Sequence, residues 1–300
     1  MILPHKKLRC VQAANAILGE GPSWDAHTGL LYWVDCSRPA IFRYDPTFGQ
    51  TGHWPLHKRV GCVSPTHSDS TAQSGRLIIA DADGFAFLDP DTAELSRIGD
   101  PEPHIPTNQF NDGKVDRAGR LWAGTMQDDC QAPTGSLYRL DLDLSIHCVD
   151  TGFYCSNGIG WSPDNRTMYF TDSMVRTIWA YEFDLRTGAL GARRTFAQLK
   201  DSDGVPDGLT VDSEGFVWSA IWDGWRVIRY APDGTVDIEI RMPVQRPSSC
   251  MFGGPDLKTL FITSACVELG WKLLKSGPLA GALFAFESEV VGLPETAFGG

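Results

Sequence analysis

Apolar and polar side chains alternate with a period of two in short runs along the whole chain. Examples are LLYWVD at 30–35, RLWAGT at 120–125, TMYFTD at 167–172, FVWSAI at 216–221 and TLFITS at 259–264. Runs of this kind, rich in aromatic and β-branched residues, predict strands. Each is preceded by a turn of Asp-x-x-Gly type or close to it, such as DRAG at 116–119 and DSEG at 212–215. The aspartate suits the first position of a type I turn, and the glycine tolerates positive φ. A second strand follows a further turn: AIFRYD after LLYWVD, GSLYRLD after RLWAGT, TIWAYEFD after TMYFTD. No segment keeps the 3.6-residue period long enough to predict a substantial helix.

The unit recurs. Asp116 and Asp164 are 48 residues apart, Asp164 and Asp212 again 48, and Asp212 and Asp256 44. The 91 residues from Asp25 to Asp116 cover two periods, and a weaker copy without the leading aspartate begins at Gly75. A repeat in the forties with four short strands per unit marks a β-propeller blade. The expected fold is all-β: a single six-bladed propeller domain over residues 1–300, with four-stranded antiparallel blades around a central channel. The N-terminal RCVQAANAIL (9–18) is expected to add a strand to the last blade, closing the ring and removing an exposed sheet edge. An open pair of β-sandwiches is the alternative. The tail beyond about Ser288 has no assigned place in the repeat.

The repeat also aligns chemistry. Glu20, Asn111 and Asp207 each lie five residues before a turn aspartate, Asp25, Asp116 and Asp212, while Asn157 lies seven before Asp164. Glycine adjoins or nearly adjoins each: Glu20-Gly21, Asn111-Asp112-Gly113, Asn157-Gly158, Asp207-Gly208. Equal phase in a propeller means equal position around the axis, so four oxygen-bearing side chains are expected to converge from four blades. Glycine neighbours allow close approach of backbones there. Grouped carboxylate and amide oxygens suit a hard divalent cation, and no Cys or His shares the phase, so a zinc-finger-like site is not indicated. The carboxylates of Glu20 and Asp207 would balance a doubly charged ion; without one they would repel each other. The plainer reading is that Asn-Gly and Asp-Gly are turn formers. Asp25, Asp116, Asp164 and Asp212 read as turn residues, and the recurring Trp24, Trp122, Trp161 and Trp218 as core.

Composition narrows the function classes. Hydrophobic residues make up 42% and charged residues 21%, a soluble globular balance, and 10 Trp with 31 Gly agree with an all-β fold. The net charge of −11 and the lack of a Lys/Arg cluster argue against a nucleic-acid partner. No apolar run approaches the roughly 20 residues of a membrane span. The first residues carry basic groups without an apolar core behind them, unlike a signal peptide. The eight Cys show no CxxC spacing, so reduced thiols and a cytoplasmic location are expected.

At these residues the sequence resembles the SMP-30/gluconolactonase/regucalcin-like family. The segments that carry the resemblance are GEGP, FNDGKVDRAGRLWAGTM, SNGIGWSPD and PDGLTVDSEG, in order from about Leu18 to Ser264. The resemblance implies a six-bladed propeller that holds one divalent metal and hydrolyses sugar-acid lactones. It implies Glu20, Asn157 and Asp207 as metal ligands, Asn111 as a substrate contact, and Asp129 as an acidic residue that binds sugar hydroxyls. Many members carry arginine two residues before that asparagine; here the residue is Gln109. A glutamine amide is neutral and has two donors where a guanidinium has five and a fixed charge. Gln109 thus bears on which substrate is taken more than on the reaction.

The leading functional expectation is metal-dependent hydrolysis of a small sugar lactone, pentonic or hexonic, in carbohydrate catabolism. The cation (Ca, Zn, Mg, Mn or Fe(II)) would act as a Lewis acid, Asp207 as general base, with Glu20 the alternative base, and Asn111, Gln109 and Asp129 would orient the sugar. No Gly-x-Ser-x-Gly elbow supports a serine hydrolase. His67 and His104 are the histidines placed to reach the channel mouth from loops. The rival from another class is a non-enzymatic, calcium- or other metal-binding regulatory or interaction propeller. The expected assembly is a monomer or weak homo-oligomer.

Overall fold

The computed structural model describes residues 2–3, 7–67 and 75–299. Six four-stranded antiparallel blades form a ring, a six-bladed β-propeller. The innermost strands are Gly19–Asp25, Val60–Pro65, Asn108–Val115, Ser156–Trp161, Val205–Val211 and Pro247–Gly253, in blades one to six. Each alternating run picked out in the sequence forms the second or third strand of its blade. In blade one, Leu30–Asp35 lies between Gly19–Asp25 and Ala40–Asp45, and Gln50–Pro55 is outermost. The outer strand of blade six is Leu8–Gln12, which pairs antiparallel with Leu283–Glu287. Ile2–Leu3 adds in parallel to the outer strand of blade five.

The core is divided among the blade interfaces. One cluster joins Trp122 and Leu137 of blade three to Ile159, Trp161 and Phe170 of blade four. Another joins Trp24, Leu31 and Trp33 of blade one to Met251, Phe261 and Leu283 of blade six, so the ring is sealed by side chains as well as by strand pairing. Burying one such large apolar side chain contributes about 1.5–3 kcal/mol. All four recurring tryptophans are buried in these clusters.

The turn aspartates do more than shape turns. Asp116 Oδ1 accepts from the Ala118 and Arg120 amides, and its Oδ2 accepts from Trp122 Nε1 at 2.8 Å and Arg120 Nε at 2.7 Å. Asp212 repeats the pattern with Trp218 Nε1 at 2.8 Å and Arg229 Nε at 2.8 Å. Each carboxylate thus anchors the indole that fills its blade interface.

The tail, unplaced by the repeat, crosses the turn end of several blades. Gly292 N donates to Leu257 O, Ser213 N to Val291 O, Phe298 N to Pro65 O and Gly299 N to Gly119 O. Phe298 is buried among side chains of blades two and three. A short α-helix, Trp271–Ser276, lies in the connection between the second and third strands of blade six.

Candidate active site

Every innermost strand carries a β-bulge at the same phase. Pairing with the neighbouring strand shifts between Glu20 and Ser23, Val60 and Cys62, Phe110 and Asp112, Asn157 and Ile159, Pro206 and Leu209, and Pro247 and Cys250. A bulge leaves a residue out of the ladder and re-aims its side chain. The predicted hub residues sit at or beside these bulges, and Glu20, Asn111, Asn157 and Asp207 are all buried, at 4–8% exposure.

The odd spacing of Asn157 has a simple cause. The residue five on from it, Ser162, opens the turn after its strand, where the other blades have Asp25, Asp116 and Asp212. Ser162 N donates to Thr167 O and Ser162 O accepts from Asn165 N, as Asp116 N donates to Arg120 O and Asp116 O accepts from Gly119 N. The blade-four turn is one residue longer, and Asp164 belongs to that turn. The five-residue rule then completes the ring: Gly61 lies five before Thr66, and Ser249 five before Gly254. The hub positions are Glu20, Gly61, Asn111, Asn157, Asp207 and Ser249.

Close approach between blades explains two of the glycines. A Cβ on Gly158 would lie 2.6 Å from Asp207 O, and one on Gly61 would lie 2.6 Å from Phe110 O and 2.9 Å from Asn111 N. Side chains there would push apart strands whose hub residues have to converge. The approaches to Glu20 and Asn157 are tied down by a carboxylate at the end of the second strand of their blades. Asp35 accepts from the Ile17 and Leu18 amides, and Asp172 from the Tyr154 and Cys155 amides.

Hydrogen bonds fix the amides. Asn157 Nδ2 donates to Ser173 Oγ at 2.8 Å, and Ser173 Oγ donates to Pro206 O at 2.7 Å. The hydroxyl proton is therefore engaged by a carbonyl and its oxygen must accept, which turns Asn157 Oδ1 toward the hub. Asn111 Nδ2 donates to Ser156 O at 2.9 Å and to Asn157 Oδ1 at 3.1 Å. Asn111 Oδ1 accepts from Arg59 Nη2 at 2.6 Å.

The carboxylates are less well served. Glu20 Oε2 accepts from its neighbour's amide, Gly21 N, at 3.2 Å. Asp207 Oδ1 is buried without a hydrogen-bond partner. Burial, then the charge of Asp112 for Glu20 and that of Glu20 for Asp207, hold both carboxyls above the ordinary range. Burial likewise pushes Asp112 up to about 6, against the pull of Lys114. A buried, orphaned carboxylate oxygen beside a second carboxylate and an inward amide oxygen is a hard-donor set. The residues present fit a divalent cation.

The other residues that the sequence singled out fall outside this cluster. Gln109 is half-buried on the strand Asn108–Val115 with no side-chain hydrogen bond among the described residues. Asp129 is exposed, its Oδ1 accepting from Gln131 N at 3.2 Å, with no bond to the hub. His67 lies against Asp25, at the other end of its strand from Glu20, with Nε2 3.1 Å from Asp25 Oδ1. His104 is exposed in the connection between blades two and three. Neither histidine hydrogen-bonds to a hub residue.

The model of the SMP-30/Gluconolactonase/LRE-like region matches residues 18–266. The chain belongs to this family. Regucalcin of Xenopus laevis is 33% identical over 303 residues, covering 98% of this chain and 99% of its own. Pentonolactonase XacC of Haloferax volcanii is 36% identical over 291 residues, 93% of each. Among solved structures, the calcium-binding protein regucalcin of Agrobacterium tumefaciens superposes with a TM-score of 0.92 at 28% identity, covering 99% of this chain and 98% of that one. Within the SMP-30/gluconolactonase-like frame, Arg59 is the residue that sequence reasoning missed. The available signal was its place two residues before Gly61, the same phase as Gln109 before Asn111.

Proposed function

We propose that the protein hydrolyses a sugar lactone to the open-chain sugar acid, using one divalent cation held by Glu20, Asn157 and Asp207. The observation that carries the reading is the buried, unpartnered Asp207 Oδ1 next to Glu20 at the hub of the ring. Membership of the family and the lactonase among the relatives support the reaction class.

When bound, the cation supplies Lewis acidity toward the lactone carbonyl and charge balance for the two carboxylates. This chain's residues do the rest. Ser173 keeps Asn157 Oδ1 turned inward through the bond to its Nδ2. Asn111 presents an amide beside it, with Oδ1 braced by Arg59, and so can meet the lactone's polar groups. The Asp207 carboxylate takes the proton of the attacking water. Glu20, on the constrained Gly-Glu-Gly backbone with Gly21 at φ 51°, is the fixed partner in the cluster.

The test is proton release from a panel of aldonolactones, pentonic and hexonic, by protein stripped of divalent ions and then supplied with one ion at a time. Acceleration of at least about 10²-fold over spontaneous opening, gained on adding an ion, is expected, the size a positioned base alone can supply. No acceleration on any lactone with any ion would favour a non-enzymatic metal-binding propeller.

A further inference from the structure

Arg59 stands where the hub has spare charge and spare donors. It precedes the innermost strand of blade two, Val60–Pro65, two residues before the hub position that Gly61 leaves without a side chain. Gln109 occupies the same phase in blade three. A guanidinium missing at 109 is thus supplied one blade over, beside the same asparagine.

Two observations indicate what this guanidinium is for. First, one contact, the 2.6 Å bond from Nη2 to Asn111 Oδ1, uses one of five donors, while Nε is buried without a partner. Arg59 makes no ion pair within 4.0 Å among the described residues, unlike Arg97, Arg120 and Arg229, which lie against Asp81, Asp116 and Asp212 at 2.6–2.7 Å. Second, the charges around the hub are unequal. Glu20, Asp112 and Asp207 are opposed by Arg59 and Lys114. A doubly charged cation on Glu20 and Asp207 cancels those two, and Lys114 acts on Asp112. Arg59, with no carboxylate paired to it among the described residues, stands half-exposed beside the amide of Asn111.

We propose that Arg59 is an anion subsite: the substrate is a sugar lactone carrying a second, ionised group at the end of its carbon chain, a carboxylate or a sulfonate, which the guanidinium receives while Asn111 holds the neighbouring oxygens. This rests on the lactonase reading above and narrows its substrate class. A planar fork with free N–H groups pairs with two anionic oxygens in a geometry that neither Gln nor Lys reproduces. A charge-assisted pair of this kind contributes about 1.5–3 kcal/mol, or roughly 10- to 150-fold in affinity.

The test uses metal-loaded protein and a matched pair of equal ring size, D-glucono-1,4-lactone and D-glucaro-1,4-lactone, which differ in a terminal hydroxymethyl against a carboxylate. A 6-sulfonate analogue of the first separates sulfonate from carboxylate. Wild type is expected to prefer at least one anionic lactone through KM. Arg59→Gln is expected to lower the anionic-to-neutral ratio of kcat/KM by roughly 10- to 100-fold, whatever both substrates lose through Asn111, with Arg59→Lys restoring part of the ratio. Calorimetry of the open-chain diacid and monoacid, with and without the ion, reads the same preference without turnover. Equal efficiency on all lactones, or an unchanged ratio in Arg59→Gln, would overturn the anion subsite and leave the lactonase reading intact. Hydrolysis of none would overturn the lactonase reading itself, and the subsite with it.

Discussion

Asp207→Asn is expected to abolish lactone hydrolysis and, in protein stripped of divalent ions, to raise stability. The substitution keeps the shape of the side chain but removes its charge and its basicity. Losing a positioned base costs about 10²–10⁴-fold, and the weakened cation site adds to that, so a fall in kcat/KM of roughly 10³-fold or more is expected. The stability change has the opposite sign. Asp207 is buried beside Glu20 and Asp112, with one oxygen unpartnered. Neutralising it removes both the like-charge repulsion from Glu20 and the burial of a charge, so the ion-free variant gains stability. Urea melts of ion-free wild type and variant at pH 8, with rates measured on the same preparations, check both. A folding defect would lower the two together. Retained activity would remove Asp207 from the base role, and a less stable ion-free variant would contradict the charge repulsion.

The second large effect is a pH-dependent response to divalent ions. In the ion-free protein Glu20 is pushed up to about 8 from an ordinary 4.5, first by burial and then by the charge of Asp112, and Asp112 itself is raised to about 6. The folded state therefore holds protons that the unfolded chain has released across this window. Stability of the ion-free protein is full below the unfolded carboxylate range and is lost as pH rises from about 4.5 toward 8. A cation taken up at these groups would displace those protons and add RT ln(1 + [M]/Kd). Added ion is thus expected to raise Tm by on the order of 5–10 °C at pH 8 and by far less at pH 5.5, at a few degrees per kcal/mol for a chain of this size. Calorimetric scans of dialysed protein with and without ion at the two pH values read the difference. An equal shift at both would mean that Glu20 and Asp207 are not the groups that take the ion.

The ring was legible because each blade repeats one two-periodic pattern and one Asp-x-x-Gly turn, signals local enough to survive in sequence. The hub residues were legible by phase alone: Glu20, Asn111 and Asp207 by the five-residue interval, and Asn157 despite an interval of seven, which the longer Ser162 turn explains. What the phase could not show were the bulges, because an extra unpaired residue is visible only against its partner strand. Arg59 escaped for a related reason. It lies 52 residues from Asn111 and carries no motif, and only blade packing brings its Nη2 to 2.6 Å from that amide. Asp129 was carried by resemblance rather than by the repeat, and it lies on a loop where no blade pairing fixes its direction. The tail could not be placed because its bonds to Leu257, Ser213, Pro65 and Gly119 are backbone contacts without a residue signature.

The proposed cation site draws on Glu20, Asn157 and Asp207 from three blades, and a crystal grown with a divalent salt and phased on that ion's anomalous signal tests it most directly. One ion bonded to an oxygen from each of the three, at about 2.0–2.6 Å, is the expected result. An ion bound elsewhere, or hub oxygens that stay beyond coordination reach of any common centre, would contradict it.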